Sequence, residues 1–130
     1  MITLTLLHPG STVPVQNWTF ETESTIRVGR SIDNNVVLYS AVVSRHHVEI
    51  RRKGSDWEVV NLGANGTYIN ENLITKATLV DGVIIRLATS GPTIHIRIEP
   101  EESPVKRKLA KLAQSLAVLS PEEEGQENDD

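Results

Sequence analysis

The sequence predicts an all-β domain, a two-sheet β-sandwich of about ten or eleven strands, and three observations carry that prediction. Apolar and polar residues alternate with a period of two, turn residues recur about every ten positions, and almost no stretch before Glu99 is long enough for a helix. Ile2, Leu4 and Leu6 alternate with Thr3 and Thr5, the pattern of a half-buried strand, and His8-Pro9-Gly10 then turns the chain. Val48 and Ile50 alternate with Glu49 and Arg51, and Trp57 and Val59 flank Glu58. Ile94, Ile96 and Ile98 share one face of the last strand, with His95 and Arg97 on the other. Between these runs lie Asp33-Asn34-Asn35, Lys53-Gly54-Ser55-Asp56, Gly63-Ala64-Asn65-Gly66, Asn70-Glu71-Asn72, Asp81-Gly82 and Ser90-Gly91-Pro92, all rich in residues that favour turns.

The composition changes at Pro100. Ser103 suits a helix cap and Pro104 its first turn, and Val105, Leu109, Leu112, Leu116 and Leu119 step by four and three onto one stripe. The expected organisation is a sandwich over 1–100, a linker and amphipathic helix over 101–120, and a disordered acidic tail over 121–130. The stripe needs a partner: the sandwich, the same helix in a second copy, or another protein. Two heptads do not make a stable isolated coiled coil.

The bulk numbers exclude several classes. Hydrophobic residues are 38% and only five side chains are aromatic, so a core must rest on Val, Ile and Leu. No stretch reaches membrane-spanning length, and the apolar start is too short and lacks the basic leader of a signal peptide, which gives a cytoplasmic expectation with no membrane partner. The absence of cysteine rules out disulfides and thiolate metal sites. Residues 1–100 balance nine Lys/Arg against nine Asp/Glu, and 101–130 carry four against eight, which gives the whole net charge of −4. A neutral body with an acidic end is poorly suited to coating nucleic acid. Any anion it binds should be recognised locally.

Local recognition is what three segments offer. Arg30 follows Gly29 at a strand end, Ser44 and Arg45 sit where a loop enters the next strand, and Asn65-Gly66-Thr67 forms a turn. Arginine stays charged and presents a planar fork of donors, a hydroxyl adds one donor, and an asparagine amide can both donate to and accept from a peptide backbone. That set suits a phosphate ester carried on a peptide. His46 and His47 are adjacent, so in an extended chain they face opposite ways and cannot chelate one metal together. Ser44 with His47 lacks a nucleophile elbow and an evident orienting acid, so no catalytic residue, metal or cofactor is expected.

The order Gly29-Arg30, then Ser44-Arg45-His46-His47, then Asn65-Gly66-Thr67-Tyr68-Ile69-Asn70 resembles the forkhead-associated (FHA) domains, with their G-R, S-x-x-H and N-G-x-x-x-N pattern. The resemblance implies an FHA/SMAD-like sandwich that binds a threonine-phosphorylated protein or peptide. By the same resemblance Arg30, Ser44 and Arg45 contact phosphate, Ala64 contributes only its backbone, and Asn65 holds the peptide main chain. Gly29, His47, Gly66, Thr67 and Asn70 then support the site, His47 by bridging the binding loops. Two departures stand out: the loop Leu62-Gly63-Ala64-Asn65 is one residue short and has Ala64 where a hydroxyl is common, and Glu71 replaces a usual Gly, which implies a different turn. Ala64 and the shortened loop favour an alternative, a scaffold that keeps the fold and binds unphosphorylated protein through its sheet or the leucine stripe.

Overall fold

The computed structural model describes residues 1–99. The expected helix over 101–120, its leucine stripe and the acidic tail lie outside the described residues.

Eleven strands form among the described residues: β1 (Ile2–Leu7), β2 (Pro14–Phe20), β3 (Thr25–Gly29), β4 (Val36–Val37), β5 (Val48–Lys53), β6 (Asp56–Asn61), β7 (Thr67–Ile69), β8 (Asn72–Ile74), β9 (Lys76–Leu79), β10 (Ile84–Leu87) and β11 (Thr93–Ile98). One sheet has the order β2-β1-β11-β10-β7-β8 and the other β4-β3-β5-β6-β9. β3 and β4 pair in parallel. No helix among the described residues is long and apolar enough to cross a membrane.

The core lies between the sheets and follows the predicted alternation. Ile2 and Leu4 of β1, Ile94 and Ile96 of β11, and Ile85 and Leu87 of β10 meet Ile26 and Val28 of β3, Val48 and Ile50 of β5, and Trp57 and Val59 of β6. Removing this aliphatic surface from water is the main favourable term holding the sheets face to face. The alternation fails at two places. Leu6 stays on the core face but is only half-buried, whereas Leu7, on the opposite face with Thr3 and Thr5, is buried beside Thr12 and Pro14 where the pairing of β1 with β2 skips Val15. Glu58 is buried although it shares no face with Trp57 and Val59. Strand β6 is internal, and Arg51 and Thr78 stand opposite Glu58 on its two neighbours, while Lys53 Nζ lies 3.7 Å from its carboxylate.

Candidate functional site

The end of β3 and the loop before β5 are stapled together. Arg30 N–H donates to the Ser44 carbonyl at 3.0 Å and Ser31 N–H to the Arg45 carbonyl at 3.1 Å. Gly29 is required here, because a Cβ would collide with the Arg45 carbonyl. Asn34 adds a side-chain staple: its Nδ2 donates to the carbonyls of Ser31 and Arg45, both at 2.7 Å. Both amide hydrogens are thereby committed, and Oδ1 is left buried and unpaired. The Val43 side chain is buried in the core, which fixes the depth of the loop one residue before Ser44.

Two separated segments, Arg30 and Ala64-Asn65, converge on three consecutive loop residues. Asn65 Nδ2 donates to the Val42 carbonyl at 2.9 Å, Arg30 Nε donates to the Val43 carbonyl at 3.0 Å, and Ala64 N–H donates to Ser44 Oγ at 3.2 Å. Each contact leaves binding capacity in place. The terminal nitrogens of Arg30 carry four of the five guanidinium donors. Ser44 accepts with a lone pair and keeps its proton, and Asn65 keeps its carbonyl oxygen and one N–H. The Ala64 backbone N–H, expected to face a phosphate, is instead used to hold the Ser44 hydroxyl.

His47 ties these loops to the core. Ser44 N–H donates to Nδ1 at 3.0 Å, so Nδ1 must accept and the proton sits on Nε2, which donates to the Gly66 carbonyl at 2.8 Å. Its backbone N–H donates to Val28, and its carbonyl accepts from Leu62 at 2.7 Å and Gly63 at 3.0 Å. The ring lies so near Gly63 that a Cβ there would stand 2.7 Å from Nδ1. Burial pushes the His47 pKa down, and the Gly66 contact opposes that only in part. Both ring nitrogens are occupied by backbone groups and neither meets the Ser44 hydroxyl, so the pair is no nucleophile and base. His46 turns to Asp33, with Nε2 3.1 Å from Oδ1. Gly66, at φ 84, bends the turn, and its carbonyl also accepts Ala88 N–H at 2.8 Å.

The bracing differs from the sequence expectation at one position. Thr67 is fully buried and donates to Asn61 Oδ1 at 2.8 Å; that oxygen also accepts Gly63 N–H at 3.2 Å, and Asn61 Nδ2 donates to the Gly63 carbonyl at 3.1 Å. Asn70 is not brought to this cluster. It lies exposed at the other end of β7, in the turn to β8. That turn holds Asn70 at φ 51 and Glu71 at φ 66, both left-handed as in a type I′ hairpin. Glu71 therefore adopts the conformation a glycine would favour rather than forcing another turn, and its carboxylate lies 3.1 Å from Arg86. Asn61 and Asn34 are the organising residues that sequence reading missed. The two-residue spacing from Asn61 to Gly63 was an available signal for the first, since Asn side chains bond the backbone two residues on. For Asn34, read only as part of a turn, its contact with Arg45 is visible only in the fold.

Charge separates this end of the sandwich from its faces. Arg27 and Arg51 pair with Glu49, Arg86 with Glu71, and Arg97 with Asp81. Arg30 and Arg45 have no carboxylate partner among the described residues and are exposed. Two cations without a carboxylate partner among the described residues, a held hydroxyl and a held amide make a donor set whose chemistry suits a compact anion.

Residues 26–88 match the profile of the FHA domain family. The chain is 38% identical over 66 residues to the oxoglutarate dehydrogenase inhibitor of Corynebacterium jeikeium, which is 50% of this chain and 46% of that protein. It is also 38% identical over 61 residues to the glycogen accumulation regulator GarA of Mycolicibacterium smegmatis, 46% of this chain and 39% of GarA. The match thus spans less than half the length of either curated relative. Among solved structures, a domain studied for phosphothreonine-dependent FHA interactions superposes with a TM-score of 0.65 at 32% identity, covering 77% of this chain and 98% of that one. The FhaA FHA domain, complexed with the intracellular domain of Rv3910, gives 0.63 at 32% identity, covering 75% of this chain and 100% of that one.

Proposed function

This chain belongs to the forkhead-associated family, and from that membership we propose that it is a phosphothreonine-dependent protein-binding module, a signalling adaptor that performs no catalysis. The observation that carries the reading is the convergence of Arg30 and of Ala64-Asn65 on residues 42–44, next to Arg45, which has no carboxylate partner among the described residues. In this reading the free donors of Arg30 grip the phosphate oxygens, the Ser44 proton adds a charge-assisted bond, and Arg45 supplies a second cation from the rim. Asn65, held by its contact with Val42, offers its remaining carbonyl and N–H to the peptide main chain. Relatives support the ligand class: FHA interactions of one solved neighbour are phosphothreonine-dependent, and EmbR of Mycobacterium tuberculosis, 30% identical with a TM-score of 0.58, was solved with a low-affinity phosphopeptide.

The second reading, a phosphate-independent scaffold, is favoured by Ala64, which brings no hydroxyl and whose N–H is engaged by Ser44. A degenerate peptide array probed in matched threonine and phosphothreonine forms separates the two. Binding confined to the phosphothreonine arm is the expected result. Equal retention on both arms replaces the adaptor reading with the scaffold.

A further inference from the structure

The two most exposed large apolar side chains among the described residues stand on the loops that flank Arg30. Ile32 is 86% exposed and Tyr39 85%, well above Leu73 and Val80 at 64%. Apolar surface left in water adds nothing to the stability of the fold. The backbones that carry these two side chains are nonetheless held. Asn34 N–H donates to the Ser31 carbonyl at 3.2 Å and closes the turn that carries Ile32, while the Asn34 side chain ties the same turn to Arg45. On the other loop, Leu38 is buried and its N–H donates to the Gly29 carbonyl at 2.9 Å, and Val43 N–H closes a turn on the Ser40 carbonyl at 3.1 Å. Tyr39 is thereby fixed from both sides. A tyrosine on a pinned backbone has only two torsions to lose when it is covered, which is the profile of a binding anchor.

The bond from Leu38 to Gly29 extends the parallel pairing of β3 with β4, so Tyr39 stands beside the Arg30-Ser31 step at one strand spacing, about 4.8 Å between backbones. From Asn34 to Ser44 the chain has no charged side chain, and Asp33, the acid beside Ile32, is turned to His46. Apart from the arginines, these loops offer a ligand apolar contact rather than a charge partner. We propose that Tyr39, supported by Ile32, is the specificity-determining residue of the site and selects ligands with an apolar or aromatic side chain close to the phosphothreonine. The inference rests on the phosphothreonine reading and adds to it the class of ligand. An extended peptide advances about 3.3 Å per residue, so a ring one strand from Arg30 meets a side chain about two or three residues from the phosphorylated one. An apolar side chain gains there by releasing water from both surfaces. A charged one would give up water against a ring that cannot pair with it, and a basic one would also face Arg30.

A peptide library with phosphothreonine fixed and the flanking positions degenerate tests it, on the full-length wild type and on Tyr39→Ala and Ile32→Ser, with urea titration to confirm that each variant is folded. The wild type is expected to select apolar or aromatic residues at one flanking position. Tyr39→Ala should lose that selection and bind the selected peptide about tenfold more weakly, with a smaller loss for Ile32→Ser. Both variants should match the wild type on the same peptide with serine at the selected position, because the contact they remove is then already gone. Selection of an acidic or basic residue there, or apolar selection that survives both variants, overturns the inference and leaves the phosphothreonine reading standing. A wild type that retains no phosphothreonine peptide overturns that reading, and this inference with it.

Discussion

The two faces of the sandwich and its loop end treat arginine in opposite ways. On the faces, Arg27, Arg51, Arg86 and Arg97 each lie beside a carboxylate, while at the loop end Arg30 and Arg45 meet none among the described residues, and neutral groups hold the backbone around them. Exposed ion pairs add little stability, a median of about 0–1 kcal/mol. Pairing on the faces therefore mainly cancels charge, and its omission at one end leaves positive potential there. A domain with balanced charge can thus present a cationic spot without being basic overall.

The sharpest way to break this comparison is to remove one arginine from each group. Arg30→Ala is expected to weaken phosphothreonine-peptide binding by about 2–5 kcal/mol, as loss of one partner of a desolvated charge pair does. Arg97→Ala should leave it unchanged. Calorimetric titration measures both, and equal affinities for the two variants would remove the distinction. The bracing comes next. Asn61→Ala strips the acceptor from the buried Thr67 hydroxyl and should lower unfolding free energy by about 1–3 kcal/mol, more than any face arginine, in a urea titration.

A third contrast lies in pH. The face pairs join arginine to carboxylate, but the loop end is tied through a buried neutral His47. Its pKa is lowered by burial, so below the ordinary value of 6.5 the unfolded chain takes up a proton that the folded chain resists. The stability from this site is therefore complete above that pH and falls as pH drops through the interval down to the folded value. Chemical denaturation at pH 7.5 and 5.5 should show lower stability at the acid value, and His47→Gln should flatten the difference while lowering stability at both. The smallest expected effect is at Glu71. Glycine relieves a left-handed backbone and loses an exposed contact to Arg86, so Glu71→Gly should change stability by no more than about 1 kcal/mol and leave peptide binding intact.

Strand positions were legible because alternation is a local property. Val48, Ile50, Ile94 and Ile96 are buried where the period of two puts them. The same rule did not foresee the burial of Leu7 on the outer face, because Thr12 and Pro14 beside it belong to a segment the pattern of β1 does not contain. At the site, Arg30, Ser44 and Asn65 were legible as chemistry. What Ala64 does was not: its N–H holds a hydroxyl twenty residues away in sequence. Asn70 was expected to brace the loops, yet a three-residue strand carries it to the opposite end of β7.

Taken alone, the order of residues determined the class of fold, the family and the donor set, since each depends on side-chain type and short spacing. The folded chain decided which donors are already engaged, which arginines pair with a carboxylate, and that Asn34 and Asn61 hold the loops. Those outcomes depend on contacts between segments far apart in the chain, and a hydrogen bond or an ion pair is fixed by distance in space, which spacing along the sequence does not supply.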